Sequence, residues 1–183
     1  MVKAHSYGAG DVEVAQLMQR LGVSYLAVAF ADEGVILREK GITMPIVVLN
    51  ADAGSFDKMV AYSLEPEIYS FHSLADFVRS VERYGAHNYP IHIKLDTGMH
   101  RLGFVEQEVD ELIALLKDSR SVRVATIFAH LSCADDPTQD DFTRRQIALF
   151  DAMSGRIAAA MPYDVLRHTA NSAAIERFPE AAF

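Results

Sequence analysis

Cysteine and long apolar runs are both nearly absent from this sequence. The single cysteine, Cys133, excludes an internal disulfide framework and is typical of a chain from a reducing compartment. No apolar run is long enough to span a bilayer, and residues 1–8 lack the apolar region of a signal peptide. We therefore expect a cytoplasmic protein with no membrane partner.

Basic side chains are also in the minority. The 183 residues include 17 Lys and Arg against 25 Asp and Glu, which gives a formal net charge of -8. Because nucleic acids are bound by a basic face, this balance argues against a nucleic-acid partner. A hydrophobic content of 50% with 23% charged residues is that of a globular protein, and the length suits one domain. No linker-like, low-complexity or repeated segment divides the chain.

Short apolar runs alternate with segments of helical spacing along the whole chain. They predict helices at 12–21, 32–40, 56–62, 74–84, 108–117 and 141–161, and strands at 1–4, 25–30, 46–49, 67–70, 91–96, 122–128 and 163–168. Such alternation predicts a parallel α/β sheet. We expect a TIM-type (β/α)8 barrel domain over 1–183 that lacks part of the first strand and the eighth strand. A doubly wound sheet is the alternative, although no Gly-rich dinucleotide turn supports it.

The strand at 91–96 carries charged groups on a face that should be buried. Its apolar residues alternate with His92, Lys94 and Asp96, so a cation and a carboxylate leave the same face. Buried charges are tolerated only when they are paired or neutralised. Arg101 follows in a loop flanked by glycines, where functional groups are common. Two interpretations stay open: a salt-bridged strand end with an ordinary solvated arginine, or a functional cluster.

Polar side chains also follow the other predicted strands, and the carboxyl ends of barrel strands meet at one rim. In chain order these side chains are Lys3, Tyr7, Lys94, Arg101, His130, Ser132, Asp135, Asp136, His168, Asn171 and Ser172. Two lysines, an arginine, two histidines and a helix N-terminus together suit an anionic, phosphate-bearing ligand.

Each of these residues also has a purely structural explanation. His130 and His168 could be hydrogen-bonded core histidines, and 171–172 could cap the helix that follows. The His and Cys spacings predict no zinc site. His130 with Asp135 or Asp136 could still chelate a divalent ion.

Four segments resemble, in the right order, the motifs of alanine racemases. They are Val2–Gly10 (VKAHSYGAG), Lys94–Gly103 (KLDTGMHRLG), Ala129–Ser132 (AHLS), and His168–Ala173 (HTANSA) with Arg177–Pro179 (RFP). The second segment is the most specific, and the likeness spans the whole chain, with departures at His5, Ala9 and His100 beside the motif residues. The resemblance implies a fold-type III pyridoxal-phosphate enzyme that interconverts L-alanine and D-alanine for peptidoglycan precursor synthesis.

The resemblance also implies roles for individual residues. Lys3 would bind pyridoxal 5'-phosphate covalently and then act as the base for the α-proton of the D-enantiomer. Tyr7 and Ser172 would contact the phosphate, with Asn171 beside it.

Three further roles concern the ring of the cofactor and the substrate. Arg101 would reach the phenolic oxygen of the cofactor and the carboxylate of alanine. His130 would lie against the pyridine ring. Lys94 would carry a carbamate that braces Arg101.

Alanine racemases take a second base, a tyrosine, from a separate C-terminal β-domain of the partner subunit in a homodimer. The family also places an arginine near the pyridine nitrogen on the eighth strand. This chain contains neither group, so we expect it to be the cofactor-binding barrel part and poorly active alone. Two alternatives remain: a non-catalytic pyridoxal-phosphate homeostasis protein of the same barrel fold, and a compromised open barrel that associates through exposed sheet edges.

Overall fold

The computed structural model describes residues 1–183, and its framework is one sheet of six parallel strands. The strands are β1 (Leu26–Val28), β2 (Ile46–Val48), β3 (Glu65–Ile68), β4 (Tyr89–Lys94), β5 (Val122–Phe128) and β6 (Leu166–His168). Their order in the sheet follows their order in the chain. Because a doubly wound sheet requires a reversal of strand order, that alternative is wrong. The fold is an incomplete TIM barrel, as predicted.

Seven helices precede, connect or follow these strands. They are α1 (Asp11–Arg20), α2 (Ala31–Glu39), α3 (Phe56–Ala61), α4 (Phe71–Arg83), α5 (Val109–Leu116), α6 (Asp140–Ala160) and α7 (Ser172–Arg177), with 3-10 turns at Glu106–Glu108, Pro137–Gln139 and Pro179–Ala181. Side-chain caps fix some of the starts; at α4, for example, Ser70 Oγ accepts a hydrogen bond from Ser73 N at 3.1 Å. No helix has both the length and the apolar character needed to cross a membrane.

The apolar core lies between the outer face of the sheet and the helices. Ile91, Ile93 and Leu95 are fully buried, and they belong to the same cluster as Phe77 of α4 and Phe150 of α6. The alternation of β4 therefore sends its apolar residues toward the helices. It leaves the interior of the barrel to the polar residues between them.

The strand predicted around Met1 to Ala4 is wrong. Val2 N donates to Ala27 O at 2.8 Å, so the chain touches β1 at a single point and then turns away. From Ala4 to Tyr7 the φ angles lie between 50° and 55°, which makes Lys3–Tyr7 a left-handed turn. Residue propensities do not predict such a turn, because the left-handed conformation costs L-residues roughly 1–2 kcal/mol each.

A bulge in β5 decides which of its side chains face the barrel interior. Ile91 pairs with Val124, but the next residue, His92, pairs with Thr126, so one residue of β5 has no partner. This extra residue reverses the alternation of side chains. Thr126 and the residues after it therefore come into register with the polar face of β4.

Candidate functional site

A cavity of about 1060 Å³ opens at the carboxyl ends of the strands. The seven residues to which the family resemblance assigns a role all line it: Lys3, Tyr7, Lys94, Arg101, His130, Asn171 and Ser172. Of the other candidates at the predicted rim, His168 lines the cavity, whereas Ser132, Asp135 and Asp136 do not. Glu67, His92, Thr126 and His168 line the same cavity from inside the barrel. The seven residues are thus brought together in one place, while the role of each residue stays a prediction.

Lys3 reaches this cavity from the left-handed turn, and the turn is tied to the start of α2. Glu33 Oε1 accepts from Ala4 N at 2.9 Å, and Oε2 accepts from Ala29 N at 2.6 Å and Phe30 N at 3.2 Å. One carboxylate therefore satisfies three backbone donors on two separate segments. Hydrogen bonds of this charge-assisted kind are the stronger class in proteins, so Glu33 helps to offset the cost of the left-handed turn.

The loop after β4 is held together by Asp96. Its Oδ1 accepts from Gly98 N at 2.9 Å and from His100 N at 3.0 Å, and Oδ2 lies 3.1 Å from His100 Nδ1. Burial alone would raise the pKa of Asp96, but these hydrogen bonds outweigh it and hold the pKa below its usual value. The side-chain partner of Asp96 is His100. The salt bridge to Lys94 that one interpretation of the strand required is therefore not formed.

Lys94 lies inside the barrel with only 6% of its surface exposed. Its Nζ sits 4.3 Å from the centroid of the Phe128 ring. Burial lowers the pKa of Lys94; Glu67 opposes this effect and Arg101 adds to it. At a given pH, a larger fraction of Lys94 is therefore in the neutral amine form than of an exposed lysine.

Glu67 is the nearest source of negative charge on β3, and the sequence analysis did not identify it. It is 3% exposed and pairs in register with His92, so Lys94 is its diagonal neighbour on β4. Burial raises the pKa of Glu67 to about 7, against the opposing effect of Lys94 and Arg101. The predicted strand began at Glu67. Starting it at Glu65 would have shown two carboxylates at alternate positions on one face.

Four side chains from successive strands form a hydrogen-bonded polar chain (Glu65, His92, Thr126 and His168). Glu65 Oε2 lies 2.8 Å from His92 Nε2, and His92 Nδ1 lies 2.8 Å from Thr126 Oγ1. Thr126 Oγ1 then lies 3.3 Å from His168 Nε2. Glu65, His92 and Thr126 are all at least nine-tenths buried. The polar chain therefore crosses the barrel interior from β3 to β6.

His130 follows β5 on a loop that α6 holds in place. Gln146 of α6 accepts from Ser132 N at 3.0 Å through Oε1 and donates to His130 O at 3.3 Å through Nε2. Burial lowers the pKa of His130, and the cations Lys94 and Arg101 lower it further. Near neutral pH this ring is therefore uncharged.

Asn171 acts as the N-cap of α7. Its Oδ1 accepts from Ala174 N at 3.0 Å, and its Nδ2 donates to Leu131 O at 3.1 Å. The capping interpretation is therefore confirmed for Asn171, which still lines the cavity. Ser172, which begins α7, is exposed, and Tyr7 lines the same cavity with 70% of its surface exposed.

The chelating site considered for His130 with Asp135 or Asp136 is not formed. The structure brings no three His, Cys, Asp or Glu residues close enough to hold a metal ion. Asp136 Oδ1 instead accepts from Thr138 N at 2.9 Å and caps a 3-10 turn.

Comparison with known proteins assigns the family. The family model for the N-terminal domain of alanine racemase matches residues 1–183. This chain belongs to the alanine racemase family. The alanine racemase of Geobacillus stearothermophilus is 38% identical over 186 residues, which cover 100% of this chain and 46% of that protein. That of Carboxydothermus hydrogenoformans is 34% identical over 185 residues, covering 100% of this chain and 49% of that protein.

Solved structures of alanine racemases share the fold. The alanine racemase of Clostridium difficile 630 in complex with cycloserine superposes with a TM-score of 0.91 at 31% identity, and the match covers 100% of this chain and 50% of that chain. The relatives are isomerases, and this alanine racemase domain spans about half the length of the curated relatives it matches.

Proposed function

We propose that this chain is the cofactor-binding barrel part of a pyridoxal-phosphate-dependent alanine racemase. The enzyme interconverts L-alanine and D-alanine, and its product serves peptidoglycan precursor synthesis in the cytoplasm. One observation carries the proposal: the seven residues implied by the family resemblance line a single cavity. These residues come from four separate segments of the chain, so only the fold places them together.

The residues of the cavity fit pyridoxal phosphate. Lys3 and Arg101 provide positive charge for an anionic phosphate, and Tyr7 adds a hydroxyl. Thr169 also lines the cavity; it is 3% exposed and its buried Oγ1 has no hydrogen-bond partner in the chain. When bound, the cofactor supplies an electron sink that makes the α-proton of an amino acid removable.

Lys3 is the base in this proposal. Its Nζ binds the cofactor and later takes the α-proton of D-alanine on one face of the substrate. Glu33 fixes the backbone of the adjoining residue, which limits how far Nζ can move. Inversion also needs a base on the other face. We propose that a tyrosine from the C-terminal β-domain of a partner subunit supplies it, in a homodimer.

Arg101 and His130 orient the ligands in this proposal. The guanidinium of Arg101, a planar donor, would bind the carboxylate of alanine and the phenolic oxygen of the cofactor. His130 would lie against the pyridine ring. Because its pKa is lowered by burial and by nearby cations, it does so without adding charge.

We propose that Lys94 is carbamylated. Its neutral Nζ attacks carbon dioxide, a C–N bond forms, a proton is released, and the resulting carbamate braces Arg101. The lowered pKa of Lys94 supports this reaction, because only the free amine attacks. Exposure to 13C-labelled carbon dioxide should give a carbamate carbon signal that disappears in Lys94→Gln. The absence of the signal from the unmodified protein would contradict carbamylation.

The role of Lys3 is tested by trapping. After incubation with pyridoxal phosphate and reduction with borohydride, peptide mass spectrometry should find the phosphopyridoxyl group on Lys3. Lys3→Ala should lose the label, and Lys94→Gln is the matched control that should keep it. A label on Lys94, or none, would contradict the assignment.

Addition of alanine separates racemase chemistry from cofactor storage. In a racemase barrel, alanine changes the absorbance of the bound cofactor, while exchange of the α-proton for deuterium stays slow without the second base. If alanine leaves the absorbance unchanged, the chain is a cofactor-homeostasis protein of the same fold. Rapid exchange by this chain alone would show that the second base lies within it.

A further inference from the structure

Glu67 is a buried carboxylate that the proposed racemisation does not use. It is 3% exposed and lines the cavity from β3. The other carboxylate of this strand, Glu65, is paired with His92 in the polar chain. No hydrogen bond or ion pair within the chain reaches the carboxylate of Glu67. Because an unpaired buried charge is costly, such a group either meets a partner in the cavity or takes up a proton.

Lys94 is the neighbour that acts most strongly on Glu67. The two residues are diagonal neighbours on adjacent parallel strands, and both line the cavity. Among charged groups, Lys94 has the largest effect on the pKa of Glu67, and Glu67 has the largest effect on the pKa of Lys94. Phe128 covers one side of Lys94 Nζ, with its ring centroid 4.3 Å away. A group added to Nζ therefore extends into the cavity that Glu67 also lines.

Carbamylation replaces a cation by an anion at this position. Burial raises the pKa of Glu67 to about 7, and the positive charge of Lys94 opposes a larger rise. A carbamate removes that cation and puts a like charge in its place, and both changes raise the pKa of Glu67 further. Arg101 is a single cation, so it can balance only one of two neighbouring anions.

Other titratable groups surround the same cavity on the remaining elements. They are Lys3, Tyr7, Tyr25, His92, His130 and His168. The shift in the pKa of Glu67, however, comes from burial, Lys94 and Arg101. The charge at position 94 is therefore the one whose change Glu67 answers most directly.

We infer that Glu67 is the proton acceptor when Lys94 is carbamylated, and that its neutral carboxyl group then donates a hydrogen bond to the carbamate. The neutral Nζ of Lys94 forms a C–N bond to carbon dioxide, and one C–O π bond opens to give the carbamate anion. A proton of Nζ passes to the carboxylate of Glu67, so the combined charge of the two side chains does not change. Glu67 is a positioning residue for Arg101, because its neutral form leaves the carbamate as the anion that Arg101 binds.

This role rests on the carbamylation of Lys94, which is part of the proposed function. It also makes the carbamate sensitive to pH. Ionisation of Glu67 places a second anion beside the carbamate, so the modification weakens as the pH rises above the pKa that Glu67 has in the modified chain.

The ionisation of Glu67 can be followed in the wild-type chain with and without carbon dioxide. In a chain with 13C-labelled glutamate, the assigned carboxyl signal of Glu67 should titrate with a midpoint at about pH 7 when carbon dioxide is absent. A fixed pressure of carbon dioxide should raise this midpoint by at least about one pH unit. Lys94→Gln is the matched control: it lacks the amine, so carbon dioxide should leave the midpoint of Glu67 where it was.

The same coupling must appear in the amount of carbamate, because linkage between two sites is reciprocal. With carbon dioxide at a pressure that modifies only part of the chain, wild type and Glu67→Gln should carry similar amounts of 13C-carbamate below pH 7, where a neutral carboxyl group resembles the amide. As the pH rises, the variant should carry more than wild type, reaching about tenfold for a pKa rise of one unit. Glu111→Gln, at an exposed position of α5, should track wild type.

A midpoint of Glu67 that carbon dioxide leaves unchanged or lowers, in a chain that carries the carbamate, would overturn the role of Glu67 and leave carbamylation in place. Equal carbamate in wild type and Glu67→Gln at every pH would overturn it as well. A wild-type chain without any carbamate signal would overturn both the role of Glu67 and the modification. The trapping of the cofactor on Lys3 tests the racemase assignment separately.

Discussion

At the scale of single residues, two ionisable side chains with shifted pKa values contribute to the electrostatic character of the cavity. Glu67 and His168 have pKa values moved in opposite senses, to about 7 and about 4, because burial disfavours the charged form of each. Their effects on stability therefore oppose each other between mildly acidic and neutral pH. The contribution of Glu67 to the free energy of unfolding decreases as the pH rises, whereas that of His168 decreases as the pH falls.

Replacing Glu67 by Gln should change the pH dependence of stability. The pKa of Glu67 rises from 4.5 to about 7 on folding, so the folded protein binds this proton more tightly. Protonated Glu67 therefore stabilises the folded protein. As the pH rises from the lower to the higher of these two pKa values, the free energy of unfolding falls by roughly 3 kcal/mol in total. We expect the free energy of unfolding of Glu67→Gln, relative to the unmodified protein, to rise between about pH 4 and about pH 8.

Urea denaturation at a series of pH values measures this difference. Glu111→Gln, at an exposed position of α5, is the matched control and should track the unmodified protein at every pH. If the curves for Glu67→Gln and the unmodified protein run parallel, the pKa of Glu67 is the same in the folded and unfolded chain and the argument fails.

Replacing Glu33 by Gln should loosen the left-handed turn. The variant keeps one acceptor oxygen where the carboxylate bonded three backbone donors, so we expect a loss of about 1–3 kcal/mol in unfolding free energy. Amide hydrogen exchange of Ala4, Ala29 and Phe30 should accelerate. Glu39→Gln, exposed at the end of the same helix, should change neither quantity. Equal exchange in both variants would mean that the turn holds without Glu33.

At the scale of elements, the loop after β4 depends on a close backbone approach at Gly103. A Cβ there would lie 2.5 Å from Asp96 N and 2.6 Å from Leu95 C, and the φ of Gly103 is +131°. Both atoms belong to the backbone, so no side-chain movement relieves the contact. This approach forms the bonds Asp96 N to Phe104 O and Phe104 N to Lys94 O, both 2.9 Å long.

Gly103→Ala should therefore destabilise the protein by at least about 2 kcal/mol and release the loop that carries Arg101. Gly41→Ala is the control: its φ is +83°, but no atom lies within 4 Å of the added Cβ. Gly41→Ala should destabilise the protein by only about 1 kcal/mol, the cost of placing an alanine at a positive φ. Urea midpoints compare the two variants. Equal midpoints would show that the loop moves to accept the methyl group.

At the scale of the whole molecule, the sheet is open. β6 pairs with β5 alone, and its first residue, Leu166, is 62% exposed. An unpaired edge presents backbone donors and acceptors to any other strand. We therefore expect the isolated chain to self-associate through this edge as its concentration rises.

Leu166→Lys should weaken that association, because charge on an edge strand disfavours strand pairing. Leu115→Lys places the same charge at a position of α5 that is 52% exposed and lies outside the edge strand, so it should leave association unchanged. Sedimentation velocity over a range of concentrations provides the measurement. An equal reduction in both variants would point to net charge rather than to the edge.

The sequence by itself determined the fold class and the set of candidate residues. Alternating apolar runs and helical spacing depend only on local periodicity, and β5 was predicted with the bounds it has. Most candidate residues could be named for a similar reason, since they lie at or after the ends of predicted strands and the carboxyl ends of parallel strands share one rim. Lys3 was named on a predicted strand that does not form. The long-range pairing of these strands was not needed for either inference.

Only the tertiary structure decided which polar groups meet and form hydrogen bonds in the interior of the barrel. The left-handed turn at 3–7 is locally unfavourable and holds because Glu33, about 30 residues away in the chain, bonds to it. The bulge in β5 brought Thr126 opposite His92 against the simple alternation. The pairing of Glu65 with His92 joined two strands whose registers no local pattern specifies. Local periodicity determines which elements form, but register, bulges and distant hydrogen bonds determine which polar groups meet.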